Sequence, residues 1–225
     1  GFSKGLYKSL NCGRGSKDNK ENVLKNLNYI AKKMLIKKDE LILMNQTHGN
    51  KVVEIKKNNY RKKINADAMV TKVKGLALSV VTADCVPIII YDYKNNIAGC
   101  IHAGWKGAIS GIIKNTVNKI KKFNSKREIF ASIGPCIGRN SYEVDLGFYK
   151  KFLAKSKKNN RYFLNKNKNK KLFNLRKYVA DKLIELEVKI DHVNYDTFKE
   201  KNNFFSYRRS CKLKQSDYGR CISVI

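Results

Sequence analysis

Three side chains able to hold a soft metal ion, His48, Cys85 and His102, each sit where an apolar run meets a Gly, Asp or Pro breaker. The segments are NQTHGNKVVEI, LSVVTADCVPIIIYD and IAGCIHAGWKG. Such joints place side chains at strand ends. The chain has only 3 histidines, so two of them in this setting carry weight. A cysteine thiolate with two neutral imidazoles is a ligand set for catalytic zinc that leaves a fourth position open for water or substrate. Each residue also has a structural reading: a buried cysteine behaves as a small hydrophobe, and a turn histidine can simply satisfy backbone groups. What favours a site is the polar company of Gln46, Asp84, Gly104 and Lys106, which a plain core would have to satisfy.

The order of NQTHG, TADCVP, HAGWKG, GPCIG, FFSYRR and DYGR resembles the YfiH family, described as "polyphenol oxidase, laccase domain". The resemblance runs from Gly5 to the C-terminus. Departures occur at Arg14, where an apolar residue is usual, and at Asn140 and Ser141, ahead of YEV. Gly1 to Ser3 resembles the end of the family's GGVS turn, so a first strand is expected upstream of this numbering. The resemblance implies an α/β (α+β) fold, a single domain of mixed β-sheets flanked by helices, spanning residues 1–225.

It also implies purine nucleoside chemistry: phosphorolysis of adenosine, inosine, guanosine and methylthioadenosine, and deamination of adenosine. Deamination needs activated water at purine C6 and a nearby acid or base, for which Asp84 beside Cys85 is the candidate. Phosphorolysis needs an anion positioned at C1′ by cations and backbone N–H groups. Lys106, Arg208 or Arg209, and the helix after Gly107 suit that role, with Gln46 and Cys136 as further candidates near the substrate. Arg208 and Arg209 follow FFSY, and strand alternation points them to opposite faces, so at most one faces the cavity and the other is expected in a structural ion pair. His192 lies in VKIDHVNYD, an alternating segment, and is expected to be structural.

Zinc is the expected metal, with copper the less suitable occupant. A multicopper laccase spends many histidines on several sites, and this chain has 3. A copper-dependent polyphenol oxidase is thus one alternative. A second is a cysteine hydrolase in which Cys85 and His102 act as nucleophile and base with His48 orienting them, for which the resemblance implies peptidoglycan precursors as substrates. A binding module without catalysis is disfavoured by the acid beside the Cys and His residues.

The elements that must position these residues follow from periodicity. Asn19 to Leu35 has helical spacing through Val23, Leu27, Ile30, Ala31 and Met34, with Ser16 and Asp18 as candidate caps. Strands are expected at 41–44, 52–55, 68–71, 76–81, 88–91, 97–101 and 129–133. Ile109, Ile112, Ile113, Val117 and Ile120 mark an amphipathic helix whose N-terminus lies just past the histidine segment, where the dipole favours anions. Residues 155–171, rich in lysine and asparagine, are expected to form a flexible, solvated loop. A helix near 175–186 and strands near 188–193, 204–207 and 221–224 complete the alternation.

A length of 225 residues with 42% hydrophobic content suits one substantial core. The net charge of +30 is dispersed and accompanies no recognisable nucleic-acid module, so neither a specific nucleic acid nor a membrane is the expected partner; the charge would attract phosphate, and purine nucleosides are the partners that the resemblance implies. The six cysteines show no CxxC spacing and no secretory signal precedes them, which points to a reduced, cytoplasmic setting. No apolar run is long enough to span a bilayer, and oligomeric state is left open.

Overall fold

Helix α1 (Lys20–Lys33) buries Val23, Leu27 and Ala31 on the face that the spacing predicts, in a computed structural model that describes residues 1–123 and 128–225. Its cap is Asn19, whose side chain accepts from the backbone N–H groups of Glu21 and Asn22. The expected caps serve elsewhere: Asp18 accepts from Ser3 Oγ and Asn11 Nδ2, and Ser16 from Asn11 Nδ2.

Six strands follow: β1 (Leu41–Ile42), β2 (Val52–Ile55), β3 (Ala68–Thr71), β4 (Ala77–Thr82), β5 (Val86–Asp92) and β6 (Ile97–Ala103). The expected single helix beyond is two, α2 (Trp105–Ile109) and α3 (Ile112–Lys121), divided at Gly111 with its φ of +92°. Then come β7 (Ile129–Ile133), β8 (Glu143–Asp145), α4 (Leu146–Lys155), β9 (Phe163–Asn167), β10 (Lys170–Phe173), α5 (Leu175–Ile184), β11 (Lys189–His192), α6 (Tyr207–Lys212) and β12 (Cys221–Val224).

The main sheet has the order β11-β7-β5-β6-β3-β2. Its inner pairs β7·β5, β5·β6 and β6·β3 are antiparallel, whereas β11·β7 and β2·β3 are parallel. One face packs on α3 and α5 through a core that includes Ile88, Ile101, Ile112, Ile113, Val117 and Val179. Burying each such side chain contributes about 1.5–3 kcal/mol. The other face, through Met69 and Cys100, meets Leu78 and Val80 of a second sheet ordered β1-β4-β12. Helix α1 covers that second sheet through Val23, Leu27, Leu41 and Ala77. The result is the mixed α/β arrangement expected from the sequence.

Two further expectations are corrected. Residues 155–171 do not form a loop: a 3₁₀ turn (Lys157–Tyr162) leads into the β9–β10 hairpin, which with β8 makes a third sheet. Asn165, Lys166, Asn167 and Lys170 occupy exposed strand positions of the hairpin, while Phe163 and Phe173 at its ends pack into an aromatic cluster with Phe148 and Phe152. Residues 204–207 are not a strand either. Ser206 caps α6 by accepting from the Arg209 N–H, so Tyr207, Arg208 and Arg209 are helical.

Candidate metal centre

Strand register brings the three expected donors together. Pro87 on β5 pairs with His102 on β6, which sets Cys85, two residues upstream, beside the imidazole. Ala68 on β3 pairs with Ile101, and the Val52–Ala68 pairing brings in the turn that precedes β2, which carries His48. The cluster therefore forms where the starts of β2, β3 and β5 meet the end of β6. The donor atoms of His48, Cys85 and His102 all lie within 4.8 Å of one another. Among the described residues this is the one group of His, Cys, Asp or Glu side chains with metal-binding geometry.

Asp67 holds this arrangement. It is fully buried at the start of β3, and its Oδ1 accepts from His102 Nδ1 and from the His48 backbone N–H at 2.8 and 2.9 Å. Its Oδ2 accepts from the Gly49 N–H, the Thr47 N–H and Thr47 Oγ1. A carboxylate accepts only, so Nδ1 of His102 carries the proton and Nε2 is left to face the cluster. The same anchor stabilises the turn in which His48 adopts a φ of +59°. Sequence reasoning missed Asp67. The available signal was an acid in INADAMV directly ahead of a fully buried strand.

The electrostatics suit a thiolate. Burial raises the Cys85 thiol, but the facing imidazoles of His102 and His48 outweigh it and bring it down to about 7. For His102 burial acts downward, and Cys85 and Asp67 overcome it, raising the imidazole to about 9. Burial likewise raises Asp67, yet His102, the Gly49 N–H and Thr47 hold it at about 2. Gly104 completes the setting: a Cβ there would lie 3.0 Å from Cys85 Sγ and 3.1 Å from His48. A soft thiolate, two imidazoles, and a glycine that leaves the space beside them open fit an ion of borderline softness.

Two cavities border the cluster. One, of about 680 Å³, is lined by His48, Cys85 and His102 together with Gln46, Arg14 and Arg220. The other, of about 540 Å³, is lined by His48 and Cys85 with Trp105, Tyr142, Tyr207 and Arg208. Gln46 shapes the first wall by accepting from the Val81 N–H and donating to the Val81 carbonyl.

The remaining expected residues fall differently. Asp84 lines the second cavity, but both its oxygens are engaged: Oδ1 accepts from Thr197 Oγ1, and Oδ2 from Ser206 Oγ and the Arg208 N–H. Burial pushes Asp84 upward against those three donors. Arg208 lines the same cavity, donating to the Glu143 carbonyl with its guanidinium 5.3 Å from the Tyr142 ring centroid. Arg209 turns away and donates to the carbonyls of Thr197, Phe198 and Phe204. It makes these main-chain contacts instead of the expected ion pair. Lys106 is exposed over the Trp105 ring and lines neither cavity. Cys136 is buried against Arg176, outside both cavities, and burial pushes its thiol up to about 11. His192 is exposed on β11 and takes no part in the cluster.

Residues 1–225 match the family described as multi-copper polyphenol oxidoreductase laccase. A purine nucleoside phosphorylase of Rickettsia conorii is 38% identical over 84% of this chain and 79% of its own length. Another, of Rickettsia prowazekii, is 35% identical over 92% of this chain and 85% of its own. The crystal structure of the Bacillus licheniformis hypothetical protein YfiH matches with a TM-score of 0.91 at 26% identity, covering 99% of this chain and 87% of that one. With its sequence matched from end to end, its fold superposed and its strand ends converging on one His, Cys, His cluster, the chain belongs to the laccase-like YfiH family.

Proposed function

We propose that this chain is a zinc-dependent purine nucleoside phosphorylase that also deaminates adenosine. The observation that carries the reading is the His48, Cys85 and His102 cluster at the boundary of two cavities, in a chain whose relatives bear the name purine nucleoside phosphorylase. His48, Cys85 and His102 would hold the ion, and zinc would supply Lewis acidity and an activated water. A multicopper oxidase would need imidazoles for several sites, which a 3-histidine chain lacks.

The chain's own residues have separable tasks. Asp67 fixes the His102 tautomer and the His48 turn, so both imidazoles are presented without reorganisation. Asp84 ties Thr197 and the start of α6 to the strand end that carries Cys85, which sets Arg208 on the cavity wall. In phosphorolysis a phosphate oxygen bonds to C1′ while the C1′–N9 bond breaks, the electron pair stays on the purine and the base takes up a proton. In deamination water adds at C6 and ammonia leaves. The test is adenosine incubated with purified protein in phosphate-containing and phosphate-free buffer, with adenine and inosine followed separately. Adenine that appears only with phosphate supports the reading, and no product from either buffer contradicts it.

A cysteine hydrolase is the second reading, favoured by one observation. Cys85, His102 and Asp67 form a chain of thiol, imidazole and buried carboxylate with the polarity of a nucleophile, base and orienting acid. Hydrolytic activity in metal-free protein would select it.

A further inference from the structure

The two cavities that meet at the cluster differ in chemistry. Five cations line the larger one, Arg14, Arg61, Lys62, Lys63 and Arg220, and no carboxylate does. The chain uses arginine sparingly, yet three of its nine arginines are here. Guanidinium forks match the paired oxygens of phosphate better than lysine ammonium groups do. Arg61 is engaged by Asp39 at 2.7 Å, and Arg220 lies 3.8 Å from Asp217. Arg14, Lys62 and Lys63 make no ion pair among the described residues. Gly13 leaves room for the Arg220 side chain, since any Cβ at that position would collide with it.

The smaller cavity is aromatic and mixed in charge. Trp105, the chain's single tryptophan, sits 4.8 Å from Phe148 between ring centroids, and Tyr142 and Tyr207 line the same space. Asp84, Glu143 and Asp145 line it with Lys170 and Arg208, and Lys170 pairs with Glu143, so this wall offers a phosphate dianion fewer uncommitted cations than the larger cavity does. Flat aromatic faces suit a purine, which stacks on them irrespective of its exocyclic groups. A volume of about 540 Å³ lies in the range of small-ligand sites.

We infer that the two cavities divide the two substrates: inorganic phosphate enters through the cationic cavity past Arg14 and Lys62, and the purine base lies in the aromatic cavity against Tyr142 and Trp105. This rests on the phosphorylase reading. It replaces Lys106 and Arg209 as phosphate contacts and assigns Arg208 to the nucleoside side. His48 and Cys85, common to both cavities, then lie where C1′ meets the attacking oxygen, and the ribose 1-phosphate and the free purine can leave by separate mouths.

The test is steady-state kinetics on inosine with phosphate varied, alongside calorimetric titration with inorganic phosphate in the absence of nucleoside. Arg14→Gln with Lys62→Gln removes two exposed cations, and is expected to raise KM for phosphate about tenfold or more while KM for inosine moves less than twofold. Tyr142→Leu and Arg208→Gln are expected to do the reverse. Phosphate titration should weaken in the double variant and not in Arg208→Gln. A rise in phosphate KM in Arg208→Gln but not in the double variant would overturn the assignment while leaving the phosphorylase reading intact. Wild-type protein that releases no base would contradict the phosphorylase reading itself. In that case the titration still decides the cavity, because phosphate binding lost in the double variant supports it and no phosphate binding overturns it.

Discussion

Asp67 accepts hydrogen bonds from Thr47, His48, Gly49 and His102, so a single buried carboxylate fixes two of the three donors. Asp67→Asn exchanges one acceptor oxygen for an amide that has only donors to face. Metal affinity, measured by competition with a chromophoric chelator, is expected to fall by about 10- to 100-fold. Asp84→Asn has a different signature. Its amide would meet Thr197, Ser206 or the Arg208 N–H, which costs about 1–3 kcal/mol and lowers Tm by several degrees. Metal should be retained, and phosphorolysis and deamination should fall together because Arg208 is displaced. A loss confined to deamination would restore Asp84 as the proton carrier. The donors themselves were legible in the sequence, being rare residue types set beside turn formers. Asp67 was not, because its partners lie 18 to 35 residues away and meet only through strand register.

The strands of the main sheet were legible as elements because their apolar runs are nearly continuous, as burial on both faces demands. The hairpin at 163–173 was not, since its outward residues are polar and its apolar ends are far apart. Its hold is the aromatic cluster, with Phe152 wholly buried among Phe148, Phe163, Phe173 and Tyr178. Phe152→Ala is expected to destabilise the fold by about 3–5 kcal/mol in denaturant unfolding. The third sheet also carries a pH dependence. Lys166 and Lys170 donate to Glu143 and hold its carboxyl at about 2, below its ordinary 4.5. A depressed carboxyl stabilises the fold above the unfolded pKa, and that contribution is lost as pH falls from about 4.5 toward 2. Thermal melts across that window are expected to fall less steeply in Glu143→Gln than in the parent chain. Equal slopes would show that the lysine clamp contributes nothing to stability.

At the scale of the whole molecule, the +30 charge alone points to no site, because lysine is dispersed along the whole chain. What matters is where carboxylates are absent, and only the assembled cavity walls display that. The family was legible from six short segments because strand ends, turns and helix starts, where those segments lie, tolerate few residue types. Their convergence was not, as it depends on a six-stranded order that no local pattern specifies. The central claim is that one metal ion at His48, Cys85 and His102 supports phosphorolysis, and metal content measured together with turnover of inosine in phosphate tests it most directly. Chelator-stripped protein should be inactive and regain activity in proportion to added zinc, saturating at about one ion per chain, the content expected of a single three-ligand site. Cys85→Ser should bind little zinc and release no hypoxanthine, whereas His192→Ala should match the parent in both. Undiminished phosphorolysis by metal-free protein, or full zinc occupancy in Cys85→Ser, would contradict the account.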